Sequence, residues 1–173
     1  MVKGVNKLKE GSRNRFLKIV IISGILFGIN YFFSFYRLFS DSMDPNLEVG
    51  SYVVALNNNN PKQGDIISYR REDNLYIKRV VALEGQTVDI DKNGNLFVNG
   101  QFVSEAYIAQ PSLHPISISL PYKVPDDTYF VLGDNRENAL DSRTDFVGTI
   151  NQKEITGKLI FQIYPFNKVG IID

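Results

Sequence analysis

The longest apolar stretch in the chain runs from Phe16 to Tyr36 and carries a single charge, Lys18. As a helix, its 21 residues would reach about 31 Å, close to the hydrocarbon thickness of a bilayer. Lys18 lies near the start, within reach of headgroups, and the cluster Tyr31, Phe32, Phe33, Phe35 and Tyr36 suits the opposite interface. Two other readings of the same run are a cleavable export signal and a buried core helix. The run is longer than a usual signal core and no small-x-small site follows it. Few core helices are apolar on every side for six turns. The pattern therefore predicts a retained anchor over 16–36, behind a basic head at 1–15.

Beyond Tyr36 the apolar runs become short, and their period falls to two. Strands are expected at 51–56, 66–70, 75–83, 87–90, 95–98, 101–103, 129–132 and 159–164. Asn93-Gly94 and Asn99-Gly100 mark tight hairpin turns. Residues 104–127 interrupt the rhythm with Pro111, Pro115, Pro121 and Pro125 and read as a short excursion or cap. No helix is expected after the anchor. The segment 37–173 is predicted to be all-β, a barrel or a pair of packed antiparallel sheets.

One of these strands breaks the rules of burial. Tyr76, Lys78, Val80 and Ala82 share one face of the 75–83 run, and Ile77, Arg79, Val81 and Leu83 share the other. With both faces mostly apolar, the strand should be covered on both sides. Lys78 and Arg79 then point in opposite directions into apolar surroundings. A buried ammonium is costly unless it is paired or loses its proton, and a neutral lysine is a base. The alternative is that Lys78 snorkels to solvent at the sheet's edge.

Composition narrows the chemistry. The chain has no cysteine, which removes disulfides and thiolate nucleophiles, and one histidine, His114, between Leu113 and Pro115 in an expected loop. A Ser-His-Asp triad would depend on that residue, and a multi-histidine metal site cannot be built. Net charge is zero, but residues 1–18 hold six basic side chains against Glu10, and the remainder is correspondingly acidic. A basic head can mean nucleic-acid binding; a membrane span directly behind it removes that reading and places the head on the cytoplasmic side.

Three features then suggest one site. Ser42 lies in the turn-rich segment Phe39–Gly50, punctuated by Pro45 and Gly50, with Met43 and Leu47 as anchors to the fold. Lys78 is the available base, and Ser-Lys pairs are a known variant of the nucleophile-base arrangement. The main-chain N–H of Ser42 and the Ser40 hydroxyl are candidate donors to an oxyanion. The loop 133–143 carries Asp134, Arg136, Glu137, Asp141 and Arg143, and reads as an ion-pair scaffold supporting the site.

The chain resembles the bacterial type I signal peptidases over nearly its whole length. Ser42-Met43-Asp44-Pro45-Asn46-Leu47 is similar to the family's nucleophile motif, Gly64-Asp65-Ile66 to its Gly-Asp box, and Tyr76-Ile77-Lys78-Arg79-Val80 to the box carrying the general base. Gly133-Asp134-Asn135-Arg136 with Asp141-Ser142-Arg143 is similar to its last box. The resemblance implies Ser42 as nucleophile, Lys78 as general base and Ser40 as an oxyanion donor. Supporting roles fall to Met43, Pro45, Asp65, Arg79, Gly133, Asp134, Asn135, Arg136, Ala139, Asp141, Ser142 and Arg143. It also implies a bacterial membrane protease with its β domain outside the cytoplasm, cutting signal peptides from exported preproteins after small residues at −3 and −1. Lipid and the export machinery are implied partners; no metal, cofactor or nucleic acid is implied.

Two positions depart from the pattern. Asn46 replaces a threonine, and Ala139 replaces a serine whose hydroxyl steadies the catalytic amine in the family. One lost hydrogen bond to such a group is worth roughly 1–3 kcal/mol, enough to slow an enzyme without stopping it. A non-catalytic relative that binds or positions secreted substrates is the rival expectation. A self-cleaving regulator would need a DNA-binding head in place of residues 1–36.

Overall fold

A computed structural model describes residues 2–57, 60–111 and 116–172, with side chains from residue 15 onward. His114 and part of the polar loop at 57–60 lie outside the described residues. The chain divides into two units between Phe33 and Ser34.

The first unit is the helix α1 (Val2–Phe32). Its segment Arg15–Phe32 is long and apolar enough to cross a membrane, and the large apolar side chains along it are exposed. The helix starts earlier than the apolar run and stops four residues short of Tyr36. Phe33–Arg37 instead forms a strand, β1. Alternating Phe33, Phe35 and Arg37 against Ser34 and Tyr36 suits a pleated strand, and aromatics are favoured there.

The second unit is antiparallel β. After β1 come β2 (Tyr52–Leu56), β3 (Ile66–Arg71), β4 (Asn74–Ala82), β5 (Thr87–Ile90), β6 (Leu96–Val98) and β7 (Gln101–Phe102). They are followed by β8 (Tyr122–Lys123), β9 (Thr128–Leu132), β10 (Ile150–Asn151), β11 (Ile155–Tyr164) and β12 (Gly170–Ile171). The larger sheet has the order β1-β2-β11-β3-β4-β9-β10, with β12 also on β11; the smaller has the order β7-β6-β5-β8. Asn99 and Gly100 both have positive φ, +52° and +75°, as the two-residue hairpin β6–β7 requires.

Four strands were not expected from the pattern. β8 and β10 are two residues long, too short for a period to register. β12 closes the chain where β11 was expected to be last. β1 was hidden in the apolar run. The excursion at 104–127 is not a detached cap: it supplies β8, and Ile116, Ile118, Leu120 and Val124 pack on the core shared with Val88, Leu96, Phe130 and Leu132.

A second core lies beneath the Ser42 segment. Met43 and Leu47 are buried against Val53, Ala55, Ile66 and Leu159, with Tyr36 and Ile77 packed at its margin. Those two side chains anchor an otherwise irregular turn, which is why a polar segment can hold a fixed position.

Candidate functional site

β4 is covered on both faces from Lys78 onward, as the apolar pattern required. Lys78 is 4% exposed and does not snorkel. Its Nζ donates to Ser42 Oγ at 2.7 Å and to the Ile77 carbonyl at 3.1 Å. Burial pulls the Lys78 pKa down to about 8, against the opposing pull of Asp141, Asp134 and Asp41. The desolvation cost dominates because none of these carboxylates touches the amine.

Arg79, on the other face, is buried but fully engaged. Its Nε and Nη2 take both oxygens of Asp134, at 2.9 and 2.8 Å, and Nη1 donates to the Gly64 carbonyl at 2.8 Å. The guanidinium also stacks over Tyr107, 4.2 Å from the ring centre. The adjacent cations thus have opposite fates: the charge of one is met by a buried carboxylate, while the other is made easier to deprotonate by loss of solvent.

The loop 133–143 holds the Ser42 segment from above. Asn135 donates its main-chain N–H to the Ser42 carbonyl at 3.1 Å and its side chain to the Asp41 carbonyl at 3.2 Å. Asn138 donates to the Asp41 carboxylate at 3.2 Å, and Asn46 to Asp134 at 2.7 Å and the Tyr107 carbonyl at 2.7 Å. The loop is itself braced within. Arg143 is held on Asp141 and donates to the Arg136 carbonyl at 2.7 Å, while Asp141 accepts the Gly133 N–H at 3.0 Å. Ser142 bridges the Val131 N–H and the Gly148 carbonyl. Asp65 joins the ends of β3 and β4 through its main chain and pairs with Lys158 at 2.7 Å. Lys168 donates to the Pro45 carbonyl at 2.9 Å.

The candidate residues therefore gather as expected, with one correction and several additions. Glu137 faces solvent instead of joining the ion-pair scaffold. The carboxylate on Arg136 is Glu105, from the excursion, whose other oxygen accepts from Arg136 Nη1 at 2.8 Å. Tyr107, Asp41 and Asn138 were also not singled out. A charge count could have found Glu105: three arginines in the last two boxes need burying, and only Asp134 and Asp141 are buried beside them.

Gly133 owes its identity to crowding. A Cβ there would fall 2.2 Å from the Ala139 Cβ and 2.6 Å from the Ser42 carbonyl oxygen. Gly133→Ala is therefore expected to lower stability by about 1–3 kcal/mol, the range for overpacking, and to displace the Ser42 main chain. Thermal unfolding read beside Gly24→Ala, where nothing lies within 4 Å, checks it.

Ser42 and Lys78 open onto a cleft of about 600 Å³, walled by Phe35–Ser40 on one side and Asp73–Lys78 on the other, with Asn138 and Leu140 at the rim. β9 pairs with β4 only over Arg79–Ala82, so Asn74–Lys78 has β3 on one side and an unpaired edge on the other. β1 is likewise the last strand of its sheet. The cleft is thus bordered by exposed main-chain hydrogen-bonding groups. Ser42 donates its N–H to Ser40 Oγ at 3.2 Å, so the two candidate oxyanion donors are adjacent at the cleft and bonded to each other. Among the described residues no cluster of side chains is suited to holding a metal ion.

By its relatives the chain is a peptidase. It belongs to the signal peptidase family, peptidase S26, whose profile matches residues 12–164. It is 35% identical to signal peptidase I S of Bacillus subtilis (strain 168), over 97% of this chain and 98% of that one. With signal peptidase I of Bacillus amyloliquefaciens it shares 36% identity over 88% of each chain. A crystal structure of a signal peptidase I from Enterococcus faecalis V583 aligns at 32% identity and a TM-score of 0.48, covering 58% of this chain and 97% of that one.

Proposed function

We propose that this signal peptidase works through a Ser42–Lys78 dyad. It would cut signal peptides from exported preproteins after small residues at −3 and −1, from a membrane anchor that leaves the β domain outside the cytoplasm. The observation that carries this reading is the 2.7 Å contact between a buried amine and the Ser42 hydroxyl. The extended end of the signal peptide lies along the free edge of Asn74–Lys78, adding a strand, with shallow recesses for small side chains. Ser42 Oγ attacks the scissile carbonyl carbon while neutral Lys78 takes its proton. The negative oxygen of the tetrahedral intermediate is met by the Ser42 N–H and the Ser40 hydroxyl. Lys78 returns the proton to the departing amine, and the ester is hydrolysed by water that Lys78 deprotonates in turn. Anchor and signal peptide share one lipid layer, which limits the search to two dimensions. Positive charge in the head favours its cytoplasmic side, and lipid and the export machinery remain the expected neighbours.

The test is cleavage of an Ala-x-Ala preprotein by the detergent-solubilised chain, with the cut located by N-terminal sequencing. Absence of any cut, with the preprotein still bound, would instead favour a binding protein, a reading that Ala139 supports by offering Lys78 no hydroxyl.

Rate should depend on pH with a definite sign. Lys78 must be neutral to act, and its pKa is about 8. Cleavage is expected to rise about tenfold per pH unit below 7 and to level off above about 9. A profile that fell between pH 7 and 9 would contradict a lysine base.

A further inference from the structure

We infer that Thr156 and Ser68 help set the selectivity of this cleft, by holding the Tyr36 ring in place as one of its walls. The inference rests on the signal-peptidase reading above. Tyr36 lines the cleft that Ser42 and Lys78 open onto. Its hydroxyl points away from that opening and donates to Thr156 Oγ1 at 3.2 Å. Thr156 donates onward to Ser68, whose Oγ is 2.9 Å and whose main-chain oxygen is 3.1 Å away. Ser68 is fully buried, and its own hydroxyl donates to the Gly157 carbonyl at 3.2 Å. Three hydroxyls thus form a directed chain from the cleft wall to the main chain of β11.

The chain also ends beneath the cleft floor. Ser68 stands opposite Ile77 in the β3–β4 ladder. Ile77 lines the cleft, packs with Tyr36 on the same apolar core, and accepts from Lys78 through its carbonyl. A phenylalanine at position 36 would be held by packing alone and could shift. The hydroxyl adds a directional tether to a rigid strand, so the ring cannot swing aside to admit a bulkier substrate side chain. Neither Thr156 nor Ser68 borders the cleft, so both act as positioning residues through Tyr36.

The experiment compares three test preproteins: one ending Ala-x-Ala, and two with valine in place of either alanine. For each, kcat/KM is measured with the solubilised full chain and its variants. Thr156→Val keeps the shape and removes the hydroxyl. It is expected to reduce the preference for alanine over valine about tenfold at one of the two positions, within the range known for a methyl-sized difference in a pocket. Thr156→Ser should restore the wild-type ratio, and Tyr36→Phe should reproduce the loss. A general weakening of the fold would lower all three rates together and leave the ratios alone. Unchanged ratios in both Thr156→Val and Tyr36→Phe would overturn the inference, and Tyr36→Phe decides alone if Thr156→Val does not fold. Failure of the wild type to cut Ala-x-Ala would instead overturn the signal-peptidase reading on which the inference stands.

Discussion

Replacing Ser42 or Lys78 by alanine is expected to lower cleavage of an Ala-x-Ala preprotein by about 10⁴-fold or more, since members of a nucleophile-base pair act as a unit. Lys78→Arg should fare no better. A guanidinium keeps the charge and most of the length but cannot give up its proton in the working pH range, so it cannot serve as a base. This variant separates basicity from charge, which Lys78→Ala cannot do. The fold should survive both alanine changes: Ser42 contributes little packing, and alanine at 78 removes a buried amine that desolvation penalises. The arginine cannot shed its charge there and should cost some stability. Thermal unfolding of each variant, measured beside its rate, is the control. If Lys78→Arg retained activity within tenfold of wild type, the dyad would be wrong.

Asp134→Ala should have the largest effect on stability. Arg79 and Asp134 are 5% and 1% exposed and meet through two hydrogen bonds of 2.9 and 2.8 Å. Removing one partner of a buried pair leaves an uncompensated charge, a cost of about 3–5 kcal/mol. For a domain of this size that corresponds to a fall in the unfolding midpoint of roughly 10–20 °C. Asn46 loses an acceptor at the same time, so the Ser42 segment loosens and activity falls at temperatures where the chain is still folded. The double variant Arg79→Met with Asp134→Leu should recover much of the stability, because apolar side chains of similar volume can replace a buried pair. If the single variant unfolded within 2 °C of wild type, the pair would not be bearing on the fold.

How much of this was legible beforehand depends on the length scale of the signal. The long strands β3 and β4 and the hairpin at Asn99-Gly100 announced themselves, because period and turn chemistry agree over several residues. Lys78 and Arg79 were legible as an anomaly: two cations in an apolar run must each be resolved, and each is. The end of the helix was not legible, since Phe33 to Tyr36 is as apolar as what precedes it. What stops the helix there is pairing with β2, a contact from 15 or more residues away. Glu105 and Tyr107 were missed for the same reason. A charge count shows that a third carboxylate is needed, but nothing local marks a glutamate in a proline-rich excursion as the partner of Arg136; the folded chain brings them together. The roles proposed for Ser42, Lys78 and Ser40 came from the motif pattern, and Ser42 lies within hydrogen-bond distance of both of the others.

The depressed basicity of Lys78 is a property of the closed fold. Its cause is burial, the exclusion of water, which outweighs the opposing pull of Asp141, Asp134 and Asp41. A nascent or unfolded chain would carry the same serine and lysine, but with the amine back at its ordinary value of about 10.5 and almost wholly protonated at neutral pH. On the dyad reading, such a chain is latent without a propeptide or an inhibitor. Proteolytic competence arises only when the domain has closed over its own base, and it disappears again as soon as the domain opens.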